Sequence, residues 1–331
     1  MKNPKAIILH AHGGPESLRW EDIDVPSPGP GEVRLRHTAV GLNYIDVYHR
    51  TGLYPVPGLP AVIGMEAAGV VEALGPEAAS RAPGLKTGDR VAYAGPPLGA
   101  YATHRLYPAD RLVKLPDDVT DETAAAVMLQ GMTAEYLLHR TFKVEAGQTV
   151  LFHAIAGGVG LLACQWLKQI GARVIGTAGT PEKAALAHSF GCDHVILYGQ
   201  EDVAARVREL TDGKGVPVVY DSVGASTFQA SLDSLAPRGM LVSFGNASGP
   251  VPPFDPGLLA QKGSLYVTRP SLMAYTASAD ELQQSAAAVF RAMAQGMKVT
   301  IGKRFPLSET AAAHRALEAR QTTGSCLLLP E

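Results

Sequence analysis

A short apolar run, Val150-Leu151-Phe152, gives way to small residues, and Gly157, Gly158 and Gly160 then open the apolar-periodic segment that runs to Trp166. No other stretch constrains the chain so closely. The pattern is that of a strand, a tight turn and a helix N-terminus. Backbone N–H groups in such a turn approach a pyrophosphate closely, and the helix dipole favours the negative charge. The strict dinucleotide pattern wants a first glycine where Ile155 stands, so the motif is a variant, Ala154-x-x-Gly157-x-x-Gly160. An ordinary strand-to-helix connection can carry the same residues, and the neighbouring segments have to decide.

They favour a nucleotide domain. Arg173 to Gly176 reads as a second strand, and Thr180-Pro181-Glu182-Lys183 as an N-cap with proline at the first helical position. His194 to Leu197 is the next strand, followed by a helix from Asp202 to Leu210 with Val203, Val207 and Leu210 on one face. Val216 to Tyr220, a helix near Phe228 to Leu235, and Met240 to Gly245 continue the alternation. Strands alternating with amphipathic helices imply a parallel sheet with helices on both faces.

The 331 residues exceed what one core usually supports, which predicts two domains. A net charge of −2 gives no electrostatic case for nucleic acid or an anionic membrane. The N-terminal apolar run is too short for a signal peptide, and no stretch suits a bilayer span, so a cytoplasmic protein is expected. Cys164, Cys192 and Cys326 form neither a disulfide framework nor a zinc pattern, and Cys164 is expected to pack in the core.

From Lys5 to about Leu115 the chain changes character. It is rich in Gly and Pro and carries short alternating runs around residues 32–40, 69–74, 89–93 and 111–115, which predict a compact, barrel-like β domain. A helical stretch follows from about Asp121 to His139. The tail holds helices near Glu281 to Gln295 and Glu309 to Arg320, then a strand, Ser325 to Pro330, able to return to the first domain. One domain therefore interrupts the other, with expected bounds of 1–125, 126–268 and 269–331. Ser264 to Thr268 is expected as the edge strand of the parallel sheet, a pairing liability unless it is covered.

Segments along nearly the whole chain carry a family resemblance. They include Gly41-Leu42-Asn43-Tyr44-Ile45-Asp46, Gly52-Leu53-Tyr54-Pro55, Gly64-Met65-Glu66-Ala67-Ala68-Gly69, Ala154 to Gly160, Val219 to Gly224, Ser243 to Asn246 and Val267 to Leu272. In these the chain resembles the zinc-free medium-chain dehydrogenases/reductases, and within them the ζ-crystallin-related NADPH:quinone oxidoreductases. The resemblance implies a Rossmann-type, doubly wound parallel sheet inserted in a GroES-like, β-rich catalytic domain, a cleft between the two, and a homodimer. In zinc-dependent members a Cys and a His occupy the positions of Asn43 and Met65; an amide and a thioether are poor zinc ligands, and no metal is expected. The pair His10 and His12, beside a Gly-Gly turn, is read as solvated.

Without a Lewis acid, an electron-poor quinone suits such a site better than an alcohol or ketone. Asn43, Tyr48 and Tyr54 are the expected catalytic residues: an amide to hydrogen-bond an oxygen, and aromatic rings with polar tips to bound a flat substrate. Asp46 and Glu66 could be proton sources but read more simply as structural carboxylates. At Gly176 to Thr180 the acid that binds ribose hydroxyls in NAD-binding domains is missing, while Lys183 can meet a 2′-phosphate. With the family pattern this implies NADPH. Cofactor contacts are expected from Asn43, Tyr48, Thr133, Ala156, Gly157, Gly158, Val159, Gly179, Thr180, Lys183, Tyr198, Ser222, Phe244, Gly245, Asn246, Ser248, Arg269, Pro270 and Arg320, although Arg269 and Arg320 could equally support the fold. The competing readings are an NADPH-dependent enone or enoyl-thioester reductase and, in another class, an RNA-binding or crystallin-like structural protein.

Overall fold

The structure, a computed structural model, describes residues 3–331; Met1 and Lys2, which begin the N-terminal run considered above, lie outside the described residues. The chain forms two units. One takes in Met1–Gln130, Thr276–Val289 and Val299–Glu331, and the other Gly131–Tyr275 and Phe290–Lys298.

In the first unit the strand Glu32–Leu42 organises the sheet. Val33, Leu35 and His37 point inward while their neighbours are half-buried or exposed, the period-2 pattern of a strand with one wet face. It pairs antiparallel with Glu66–Leu74, with His104–Pro108 and with the C-terminal strand Ser325–Leu329. The return of the tail to this sheet is thereby present as expected. Arg90–Ala94 and Val113–Lys114 extend the sheet on one side and Ile301–Pro306 on the other. The run expected at 111–115 is shorter than a regular strand, because Ala109–Arg111 closes a 3-10 turn just before it. Tyr93 stacks on Tyr107 with ring centres 4.1 Å apart inside the apolar core.

In the second unit the described strands pair in parallel, in the order His194–Leu197, Arg173–Ala178, Thr149–Phe152, Val216–Asp221, Leu235–Ser243, Tyr266–Thr268. Val216–Asp221 is buried along nearly its whole length, which explains its unbroken apolar run: a parallel strand covered on both faces has no alternation to display. Thr180 caps the helix Pro181–Ser189 and Asp202 caps Val203–Leu210, each side chain accepting a backbone N–H. Tyr266–Thr268 is the edge strand, with Tyr266 58% exposed; it begins later than Ser264 because that residue takes a left-handed φ of 57°. The helix from Asp121 ends at Tyr136 and passes into a π turn, Leu137–Thr141. All three cysteines are buried and unbridged. Among the described residues no helix is long and apolar enough to cross a membrane.

Candidate active site

The order of the parallel strands reverses between Thr149–Phe152 and Val216–Asp221, the place where open α/β sheets bind ligands beyond their carboxyl ends. The glycine turn follows the first of these strands. Ala154 sits at φ 53°, a left-handed conformation costing an alanine about 1 kcal/mol, so the variant motif keeps glycine-type backbone at its first position without glycine. Its carbonyl accepts from the Gly157 N–H at 3.0 Å, and Gly157 starts the helix Gly158–Ile170 with no side-chain cap. The first-turn N–H groups are thus left for an anion. A Cβ on Gly160 would fall 2.4 Å from the Ile155 carbonyl oxygen, so only glycine lets the helix lie this close to the turn.

Beyond Arg173–Ala178 the structure brings together Gly179, Thr180, Lys183 and Tyr198. The Tyr198 hydroxyl would meet a Cβ on Gly179 at 2.5 Å, and the Lys183 N–H donates to Thr180 Oγ1 at 3.3 Å. No carboxylate occupies residues 176–180. Ser222 follows Val216–Asp221, and the Ser248 hydroxyl donates to the Val223 carbonyl at 2.9 Å. Arg269 donates to the Gly245 carbonyl at 2.9 Å and to the Asn246 side-chain oxygen at 3.0 Å. It therefore braces the segment carrying Phe244, Gly245 and Asn246. Thr133 is buried in the helix Asp121–Tyr136, and Pro270 is half-buried beside Arg269. Arg320 is exposed just past the helix Thr310–Glu318, in the first unit.

Asn43, Tyr48 and Tyr54 share one segment of the first unit. Asn43 is the N-cap of the helix Tyr44–Thr51, and Gly52 ends that helix with a left-handed φ of 81°. The chain then turns back so that the Tyr54 ring lies 5.0 Å from Tyr48, which also meets Tyr44 at 5.6 Å. The Asn43 amide is held at both ends. Its Nδ2 donates to Glu66 at 2.6 Å, and its oxygen accepts from Gln130 Nε2 at 3.1 Å. Glu66 also accepts the Leu129 N–H at 2.6 Å, and the Ser325 hydroxyl reaches both Gln130 Oε1 (2.7 Å) and the Ala126 carbonyl (2.8 Å).

Burial pushes the Glu66 carboxyl up to about 8, against the hydrogen bonds from Leu129 and Asn43. Protonation converts Glu66 from an acceptor into a donor. The Asn43 and Gln130 amides can then reverse, with the single Ser325 hydrogen turned to Ala126, and every group stays satisfied.

A second chain supports the same helix. The Asp46 carboxyl accepts from the Asn43 N–H and the Tyr101 hydroxyl, both at 2.9 Å, while its other oxygen has no partner among the described residues. Burial raises Asp46 to about 7. Tyr101 meets His314 Nε2 at 3.0 Å, and Arg50 donates to His314 Nδ1 at 3.1 Å and to both Glu318 oxygens at 2.7 and 2.8 Å. Burial, helped by Arg50, lowers His314 to about 3, so it is neutral and passes its Nε2 hydrogen to Tyr101.

The donor set does not fit zinc. The Asn43 amide is committed to Glu66 and Gln130, Met65 offers only a thioether, and no group of three His, Cys, Asp or Glu among the described residues could hold a metal. His10 pairs with Glu21 at 2.8 Å, and His12 faces the Arg50 carbonyl.

Gln130, Tyr101, His314 and Arg50 were not singled out in the sequence. Gln130 alone left a trace, as a polar residue closing the run Ala124-Ala125-Ala126-Val127-Met128-Leu129.

Comparison with known proteins accords with this geometry. The family described as the alcohol dehydrogenase GroES-like domain matches residues 29–117, and that described as zinc-binding dehydrogenase matches 158–291. A quinone oxidoreductase of Pseudomonas aeruginosa is 54% identical over 98% of this chain and 99% of its own length. A 2-haloacrylate reductase of a Burkholderia species is 48% identical, over 98% and 99%. The crystal structure of Escherichia coli quinone oxidoreductase complexed with NADPH superposes with a TM-score of 0.96 at 46% identity, over 98% of this chain and all of that one. Matched along both units by full-length relatives, the chain belongs to the quinone oxidoreductases of the medium-chain dehydrogenase/reductase family.

Proposed function

We propose that this protein reduces quinones with NADPH. The observations that carry the reading are an uncapped glycine turn suited to phosphate in one unit and, in the other, a doubly anchored amide whose neighbours are poor zinc ligands. The cofactor fits the residues present. The first-turn N–H groups behind Ala154 receive the pyrophosphate, and Lys183, Thr180 and Tyr198 receive the 2′-phosphate that no carboxylate at 176–180 repels. Bound there, NADPH supplies a hydride. Asn43 keeps one N–H beyond the one given to Glu66, or to Gln130 when Glu66 is protonated, and that N–H steadies the oxygen on which negative charge grows. Tyr48 and Tyr54 bound the flat acceptor, and water supplies the proton that completes the quinol. Positioning and one hydrogen bond are the protein's contribution.

The test is a steady-state panel. Simple quinones should turn over with NADPH, survive exhaustive chelation unchanged, and run poorly with NADH, while primary alcohols with NADP⁺ should not react. Efficient alcohol oxidation without quinone reduction would sink the reading. A second reading, reduction of a C=C bond conjugated to a carbonyl, is favoured by the 48%-identical 2-haloacrylate reductase, and haloacrylates and enones belong on the same panel.

We also propose a cytoplasmic homodimer that covers the exposed edge strand Tyr266–Thr268. Sedimentation at micromolar concentration should give twice the chain mass; a monomer throughout would refute the dimer.

A further inference from the structure

We infer that His153, with Thr177, Ser231 and Asp221, is a positioning device for the glycine turn: a buried chain of one-way hydrogen bonds that holds Ala154 in its left-handed conformation and so aims the turn at a pyrophosphate. The inference rests on the reading that a nucleotide binds there.

All four side chains are essentially without solvent contact: Ser231 0%, His153, Thr177 and Asp221 1% each. At one end the Asp221 carboxyl accepts the N–H groups of Val223 (2.7 Å) and Gly224 (3.1 Å) and the hydroxyls of Thr227 (2.7 Å) and Ser231 (2.8 Å). With two N–H groups and two hydroxyls directed at its oxygens the carboxyl accepts, so the single Ser231 hydrogen is spent on it. Ser231 Oγ, 3.1 Å from His153 Nε2, must then accept from that nitrogen. Burial lowers the basicity of His153, leaving one ring hydrogen, and with this on Nε2 the Nδ1 must accept. Its partner is Thr177 Oγ1 at 3.1 Å, whose hydrogen it takes. A lone pair of the Thr177 hydroxyl receives the Ala154 N–H at 3.2 Å, while the Thr177 carbonyl receives the next N–H, that of Ile155, at 3.1 Å.

Every direction in the chain follows from the one before it. The last two bonds grip consecutive residues of the turn at the position where the backbone is left-handed. The Ala154 N–H can only donate, and Thr177 Oγ1 is the fixed acceptor that the chain presents to it. Asp221 also organises the start of the segment after its own strand, so the two sides of the strand-order reversal share one anchor.

The experiment compares two ligands by calorimetry: NADPH, which carries the pyrophosphate, and adenosine 2′-monophosphate, which lacks it and addresses only the Lys183 end. Thr177→Val keeps the shape and removes the hydroxyl; it should weaken NADPH about tenfold, with 2′-monophosphate affinity within twofold of the wild type. Thr177→Ser restores the hydroxyl and should bring NADPH back to within about threefold. Ser231→Ala cuts the chain at its far end and should show the same split between ligands, which keeps the test open if Thr177→Val folds poorly. Equal weakening of both ligands, or no weakening of NADPH in either truncated variant, overturns the positioning role. Failure of the wild type to bind NADPH would instead overturn the nucleotide reading beneath it.

Discussion

Asp221 and Asp46 are both fully buried carboxyls, each at the end of a hydrogen-bonded chain, and the two units treat them differently. In the nucleotide unit, four donors converge on Asp221, and the chain leading from it consists of neutral side chains that each have one direction available. In the other unit, one Asp46 oxygen has no partner among the described residues, and neighbouring Glu66 sits in an amide chain that can run either way. The first arrangement suits a turn that must present the same N–H groups to every cofactor molecule. The second leaves protons that can move within reach of the amide proposed to meet substrate. On the proposed reading, fixity falls where a constant ligand binds and adjustability where chemistry occurs.

The harshest way to break that contrast is at Arg50, 1% exposed and paired with Glu318. Arg50→Met removes the donor to His314 and leaves Glu318 alone; it should cost about 3 kcal/mol, the low end for broken buried pairs because Glu318 is a third exposed. The measurement is the thermal or denaturant transition, and NADPH affinity below that transition should stay within about twofold, since the second unit does not use the pair. An equal fall in NADPH affinity would show that the units are not separable in this sense.

Lys183→Glu should sharpen the contrast from the other side. Loss of a charge-assisted contact is worth roughly 1.5–3 kcal/mol, so the Michaelis constant for NADPH should rise about ten- to a hundredfold. NADH, lacking the 2′-phosphate, should change little. Matching losses with both cofactors would place Lys183 in a structural role.

The mildest expected effect at neutral pH belongs to Glu66→Gln, which mimics the protonated carboxyl. Its Nε2 donates to the Asn43 oxygen and its Oε1 accepts from Leu129. With Glu66 raised to about 8, the folded protein holds a proton that the unfolded chain releases near 4.5. Stability therefore falls as pH rises from about 4.5 to about 8 and levels off above. Asp46, raised to about 7, adds a slope of the same sign over a lower range. The variant should resemble the wild type near pH 6, lose the Glu66 part of the slope in urea midpoints, and lack any change in quinone kcat/KM through about pH 8. An unchanged slope would remove Glu66 from this role.

How much of this could be read in the chain depends on distance along it. The strand Val150 to Phe152, the turn and the Thr180 cap are local, and their residues announce themselves through period and composition. The missing first glycine is read at Ile155, and the left-handed conformation of Ala154, one residue earlier, leaves no sign in the sequence. The chains that position the site were not legible, because their links are remote: Asn43 to Glu66 spans 23 residues, His153 to Ser231 78, and Arg50 to His314 264. A histidine in the alanine-rich helix Thr310–Glu318 gives no sign of its partner until the fold brings Tyr101 and Arg50 to its two nitrogens. Arg269, left open between ligand and support, reaches the Gly245 carbonyl and the Asn246 side chain, contacts that only the fold reveals.

The burial of all three thiols bears on survival in use. Quinones are electrophiles that add to thiolates, so an enzyme that gathers them is exposed to alkylation by its own substrate. The Cys192 neighbour together with burial pushes the Cys164 thiol up, and burial raises that of Cys326, so neither offers a thiolate at neutral pH. What is ordinary core packing for the fold is chemical armour for a catalyst that handles arylating agents.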